Sequence, residues 1–188
     1  MYDLEVNLSS VPDKLETRLI EAAVDGNVDS FGKLCERHYA ALVAIAYSVL
    51  GDHQLAEDAA QESFARALIK LRSLRDRTKF ALWLAAICRN VAKDMVATKA
   101  KQVSSDDLSQ VAQYDSHDES ARLIRRAIER LPASAKELIV LRYYNNLSYE
   151  QISSVLGISK ATINGRLTRA KRKMAKYLRR NGFPESQL

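Results

Sequence analysis

Proline is scarce in this chain: Pro12, Pro132 and Pro184 are the only three in 188 residues, and there are only six glycines. Long stretches are therefore free of helix breakers. Aromatic residues make up 7% of the chain, and no strand-like alternation of useful length occurs. This argues against a β-rich fold. No apolar run reaches the roughly 18 residues that a membrane span needs. The opening Met1-Tyr2-Asp3-Leu4-Glu5 is acidic and lacks the basic and apolar regions of a secretion signal. The chain is expected to stay in the cytoplasm without inserting into a membrane, where Cys35 and Cys88 have no reason to pair. Phosphate-binding glycine loops, nucleophile elbows and paired catalytic acids are missing too. No catalytic residue, enzymatic activity or cofactor is expected. Cys35 and His38 have a C-x-x-H spacing, but without a second pair they read as core residues, and no metal site is expected.

What the chain does have is charge segregation and helical periodicity. The net charge is +6, yet nine basic residues and no acid lie between Lys160 and Arg180. Between Thr98 and Ser120 the sign reverses, with Asp106, Asp107, Asp115, Asp118 and Glu119 facing only Lys99 and Lys101. That asymmetry suggests a polyanion-binding module joined to an acidic connector.

Three apolar stripes with helical spacing fill the first half: Phe31, Leu34, Cys35, Leu42, Ile45 and Val49; Phe64, Ala67, Leu68 and Leu71; Leu84, Ile87, Cys88, Val91 and Met95. Asp13, with Glu16 three residues on, opens a shorter helix before them, and Asp29 and Asp52 are the expected N-caps of the first two stripes. Each stripe is one face wide, so the helices must bury against one another. Trp83 is expected in that core, the alternative being a platform on which a base stacks. The pattern resumes with Leu123, Ile124, Ala127, Ile128 and Leu131, and Pro132 ends it. Ser134 with Glu137, and Ser148 with Gln151, have the spacing of capping boxes that open two further helices. The expected fold is all-α, with two small helical domains joined by a flexible linker. Their bounds are a tail at 1–13, a first domain at 14–97, an acidic linker at 98–119, a second domain at 120–180 and a tail at 181–188.

The sharpest local signal runs from Ser148 to Ser159. A capped helix buries Ile152, Val155 and Leu156 and ends at Gly157, where a left-handed backbone is cheap. Ile158 can plug the angle to the next helix, which Ser159 caps. That helix turns Ile163, Leu167, Ala170, Met174 and Leu178 inward. This is the pattern of a helix-turn-helix whose second helix enters a DNA major groove. Its early residues Lys160, Thr162, Asn164, Gly165, Arg166 and Arg169 are placed to reach base edges, with Arg172 and Lys173 further along on the phosphates. A plain helical hairpin with a glycine cap has the same apolar pattern without the charge.

These residues resemble a known family. Leu131-Pro132, Leu138 to Tyr143, Leu147 to Ile152, Gly157 to Ser159 and Thr162 to Ala170 look like the promoter-binding C-terminal domain of extracytoplasmic-function (ECF) sigma factors of bacterial RNA polymerase. Gly51 to Phe64 resembles that family's polymerase-clamp-binding helix, and Phe80 to Asp94 its minus-ten-reading helix. The resemblance implies a sigma region 2 domain, binding core RNA polymerase through Glu57, Asp58, Gln61 and Glu62. It implies that the loop Arg72 to Lys79 captures a flipped base of the minus-ten element, with Arg75, Arg77, Thr78 and Lys79. Arg89, Asn90, Lys93 and Asp94 then face the adjacent DNA. It also implies a sigma region 4 domain reading the minus-thirty-five element, and an anti-sigma factor as a further partner. Such a chain would direct polymerase to promoters and promote minus-ten melting. Asn164 and Gly165 depart from the lysine and serine common at those positions, and Ala97 to Gln102 is less basic than the family pattern. Two rivals remain at this point: a stand-alone, dimeric helix-turn-helix regulator that binds a palindrome without polymerase, and a protein-interaction module that never touches DNA.

Overall fold

The computed structural model describes Leu8, residues 12–102 and residues 119–183. Four long helices form the first half. α1 spans Lys14–Val24, α2 Val28–Leu50, α3 His53–Lys70 and α4 Phe80–Gln102. Two short 3-10 turns, Leu71–Ser73 and Arg77–Lys79, link α3 to α4. The second half contains α5 (Glu119–Glu129), α6 (Ala133–Ile139), a π turn (Val140–Tyr144), α7 (Tyr149–Leu156) and α8 (Lys160–Arg180). Among the described residues there is no strand, and the all-α expectation holds. The helix α4 continues to Gln102, past the expected domain edge at residue 97. Residues 103–118, most of the expected acidic linker with four of its five acids, lie outside the described residues.

Local chemistry sets most helix starts. Asp13 accepts a hydrogen bond from the Glu16 amide (2.7 Å), and Asp52 accepts one from Leu55 (3.1 Å). Each satisfies a backbone donor that the first turn leaves without a partner. Two expected caps are corrected. α2 is capped by Asn27, whose Oδ1 accepts from the Ser30 amide at 2.8 Å, while Asp29 lies inside the first turn. There its charge still suits the positive end of the helix dipole. α6 has no side-chain cap: Pro132 occupies the N-cap position, and Glu137 turns away to pair with Arg89. The Ser134–Glu137 spacing therefore forms no capping box.

α2 is the central strut. α1, α3 and α4 pack around it, and α6 and the π turn pack on it from the second half, while α7 packs on α4. One continuous core runs from Leu8 through Leu42, Ile45, Phe80 and Leu84 to Leu138, Ile152 and Leu167. A satellite cluster of Ala127, Leu178 and Phe183 closes the far end of α8. Burying each large aliphatic side chain contributes about 1.5–3 kcal/mol, so the two halves are held together by apolar contact as well as by polar pairs.

The stripes read from the sequence line this core with two exceptions. Leu68 is 45% exposed and Ile124 38% exposed. Trp83 is half-buried, tilted against Phe80 with ring centroids 6.0 Å apart. Cys88 is buried, and Cys35 is half-buried. His38 and Glu16 form a buried pair, with Nε2 and Oε1 2.8 Å apart, that clamps α1 to α2. His38 is thus engaged with a carboxylate and not with Cys35.

Candidate nucleic-acid interface

The second half builds α8 from the turn outward. Ser148 starts α7 with both halves of a capping box: its Oγ accepts from the Gln151 amide (3.2 Å), and its own amide donates to Gln151 Oε1 (2.7 Å). Gly157 ends the helix with φ 68° and ψ 29°, the left-handed conformation. The Ser153 hydroxyl donates to the Ile158 carbonyl at 2.7 Å and so fastens the turn. Ser159 caps α8 by accepting from the Thr162 amide at 3.2 Å. Ile163, Leu167 and Ala170 are then buried, Met174 packs at the edge, and the opposite side of α8 faces outward.

On that outward side Asn164, Arg169, Arg172 and Lys173 are exposed, while Thr162, Gly165 and Arg166 are half-buried. Lys160 is also exposed but reaches back to Glu150 at 2.8 Å, and this pairing holds the Glu150 carboxyl below its ordinary range. The Tyr149 hydroxyl points to Asn164 Oδ1 at 3.5 Å. Arg142 lies over the Tyr149 ring at 5.6 Å, and Lys171 over the Tyr143 ring at 5.2 Å. The π turn supplies Arg142 and Tyr143, so it braces α8. The exposed cations and one amide on a stiff, capped helix match what a major groove presents: phosphates at its rims and base edges at its floor.

The first half carries two further surfaces. On α3, Asp58, Gln61 and Glu62 are exposed, and Glu57 is half-buried beside His53 (3.4 Å). The same face ends in apolar groups, Leu68 and Ile69, the latter 82% exposed. An acidic strip ending in bare aliphatic side chains suits a basic, partly apolar protein surface rather than DNA. Sequence reasoning assigned Leu68 to the core and passed over Ile69. Spacing alone cannot separate a core stripe from an exposed apolar strip on the same helix.

The loop between α3 and α4 is pinned from within. Leu74 is buried. Thr78 donates through both its amide and its hydroxyl to Asp76 Oδ1, and Lys79 Nζ lies 3.1 Å from Asp76 Oδ2. These contacts, the Thr78 hydroxyl first among them, hold the Asp76 carboxyl below its usual range. Arg77 donates to the Leu74 carbonyl and is committed to the loop's own backbone, whereas Arg75 is exposed. Of the four loop residues singled out, Arg75, Thr78 and Lys79 therefore present outward. Along α4, Asn90, Lys93 and Asp94 are exposed. Arg66 spans from Glu62 (2.7 Å) to Asp94 (3.4 Å), tying the α3 and α4 surfaces together. Arg89 is the exception: it is half-buried, with Nε 2.5 Å from Glu137 Oε1 on α6.

Among the described residues no helix is long and apolar enough to cross a membrane. Comparison with known proteins matches both halves. The model for Sigma-70 region 2 covers residues 34–102, and that for Sigma-70 region 4 covers residues 121–174. The chain is 33% identical over 134 residues to the ECF RNA polymerase sigma factor SigM of Bacillus subtilis, covering 68% of this chain and 82% of that one. It is 27% identical over 177 residues to SigW of the same organism, covering 85% of this chain and 95% of that one. Among solved structures, it resembles the sigma factor RpoE of Bartonella quintana, solved in complex with the anti-sigma factor NepR. The TM-score is 0.66 at 26% identity, covering 79% of this chain and 96% of that one.

Proposed function

The chain belongs to the extracytoplasmic-function family of RNA polymerase sigma factors, and from that premise we propose that it docks on core RNA polymerase, carries it to specific promoters and helps open the minus-ten element. The observation that carries this reading is the coexistence in one chain of two unlike surfaces. One is the acidic and aliphatic strip of α3, with Asp58, Gln61, Glu62 and Ile69 exposed; the other is the cationic face of α8, with Arg169, Arg172 and Lys173 exposed. A strip of the first kind repels DNA and fits a protein, while a face of the second kind attracts DNA.

In this reading α8 enters the duplex major groove at the minus-thirty-five element. Asn164, Arg166 and Arg169 reach base edges, and Lys160, Arg172 and Lys173 neutralise phosphates. Thr162 and Gly165 line the approach. The loop around Arg75, Thr78 and Lys79, with Asn90, Lys93 and Asp94 of α4, handles the melted minus-ten strand, where cations follow the backbone and a pocket takes an unstacked base. The chain itself performs no chemistry; nucleotide addition belongs to polymerase. It acts in the cytoplasm, and an anti-sigma factor holds it in reserve; the Bartonella relative solved in complex with the anti-sigma factor NepR supports such a partner.

The test is transcription from fragmented genomic DNA by core polymerase with and without the chain. Start sites that appear only with the chain, and that share one sequence pair upstream, support the proposal. Palindromic DNA bound tightly by the chain alone, with no chain-dependent transcript, would favour the dimeric-regulator reading instead.

A further inference from the structure

The inner edges of the two DNA-reading surfaces meet at the junction of the halves. A cavity of about 320 Å³ at the junction of the halves is lined by Arg89 and Lys93 of α4, Arg166 of α8, and Glu137 of α6, with Val49, Leu156 and Ile158 among its apolar walls. Of its charged lining residues three are cations and one, Glu137, is an acid. Glu137 is 7% exposed, and its carboxylate meets the Arg89 guanidinium at 2.5 Å, with side-chain exposures of 14% for Arg89 and 10% for Glu137.

This arrangement cannot coexist with promoter reading. Elements centred ten and thirty-five base pairs upstream are separated by about 25 base pairs, or about 85 Å at 3.4 Å per pair. Residues that read the two elements cannot line one small cavity while doing so. Arg89 also spends its charge on Glu137 and so cannot offer it to a DNA phosphate. Without the carboxylate, Arg89, Lys93 and Arg166 would repel one another across a poorly solvated space. The closed state also turns Glu57 of the α3 strip into a second cavity, which it shares with Arg125 and Tyr144 of the other half.

We propose that Glu137 is an intramolecular latch: its carboxylate stands in for DNA phosphate between the minus-ten and minus-thirty-five surfaces and holds the free chain in a closed form that cannot read a promoter. The latch rests on the DNA-reading roles assigned above. Engagement with polymerase opens it, because binding energy that favours the open form shifts the population.

The experiment uses the full chain. Small-angle scattering gives the radius of gyration of wild type, Glu137→Lys and the charge swap Arg89→Glu/Glu137→Arg, with circular dichroism to check helix content. Glu137→Lys places a fourth cation in the cavity and is expected to expand the chain, and the swap is expected to make it compact again. The apparent affinity for core polymerase should rise in Glu137→Lys, by about tenfold if one-tenth of wild type is open. A Glu137→Lys chain as compact as wild type overturns the latch. So does a swap that stays expanded with its helices intact, since opening would then come from damage to α6 and not from the pair. Wild-type transcription with core polymerase separates the two ideas. If wild type directs no transcripts, the sigma reading fails; if it does while Glu137→Lys stays closed, only the latch fails.

Discussion

Gly157 ends α7 at the turn and Gly165 lies inside α8, and substitution of each with alanine should move stability in opposite directions. Gly157 has φ 68°, and a Cβ built there meets nothing within 4 Å. The cost of Gly157→Ala is therefore backbone strain alone, about 1–2 kcal/mol for an L-residue in the left-handed region. Gly165 lies inside α8 with helical geometry, and a Cβ there also meets nothing within 4 Å. Gly165→Ala should add about 1 kcal/mol of stability through helix propensity. The expected gap between the two variants is about 2–3 kcal/mol. Urea unfolding followed by circular dichroism measures it as a shift in midpoint at constant slope. Gly157→Asn should cost less than Gly157→Ala, because asparagine tolerates the left-handed turn better. If Gly157→Ala is as stable as wild type, the glycine cap does not set the turn. If Gly165→Ala is destabilised, the open space beside that position is wrong. Promoter binding adds a separate reading: a Gly165→Ala chain that folds better yet binds DNA more weakly would show that DNA comes close to the α8 backbone.

Further predictions concern the surfaces and the core. Arg169→Ala should weaken binding of region 4 to duplex promoter DNA by about 1–3 kcal/mol if the contact is a bidentate base contact; a filter-binding titration at fixed salt checks it, and unchanged affinity would remove Arg169 from the interface. Glu62→Lys and Ile69→Asp, at two exposed positions of the α3 strip, should each lower holoenzyme yield in a pull-down while leaving the free chain's unfolding free energy within about 0.5 kcal/mol of wild type. Burial pushes the Cys88 thiol up to about 11, so the folded state keeps a proton that the unfolded thiol releases nearer 9. The stability this confers is complete below pH 9 and is lost as pH rises from about 9 to 11, and urea midpoints across that window should fall less steeply in Cys88→Ala.

How much of this was legible in the sequence depended on the range of the interaction involved. The helix-turn-helix was readable almost residue by residue because its determinants lie within a few positions of one another. Ser148 with Gln151, Gly157, and Ser159 with Thr162 all act locally, and all three formed as expected. Glu137 was misread for the opposite reason. Its spacing from Ser134 suggested a cap, but a partner 48 residues away, Arg89, claimed its carboxylate. The packing of α6 and the π turn onto α2 was hidden for the same reason. Asn27 displaced Asp29 as a cap because both side chains can accept the bond, and only the chain's path chooses between them. Leu68 was misplaced because an apolar residue next to a core stripe has the same period as the stripe itself. Of the site residues, those on α8 could be found from charge and capping, whereas the polymerase strip and the minus-ten loop depended on resemblance to the family.

The claim that this chain opens promoters is tested most directly by permanganate reactivity of thymines in a chain-dependent promoter. The account predicts reactive thymines around the minus-ten element only when core polymerase and the chain are both present, and weaker reactivity at limiting holoenzyme when Arg169→Ala weakens upstream binding. Thymines that stay unreactive while polymerase and chain together occupy the DNA would contradict it, as would equal reactivity without the chain.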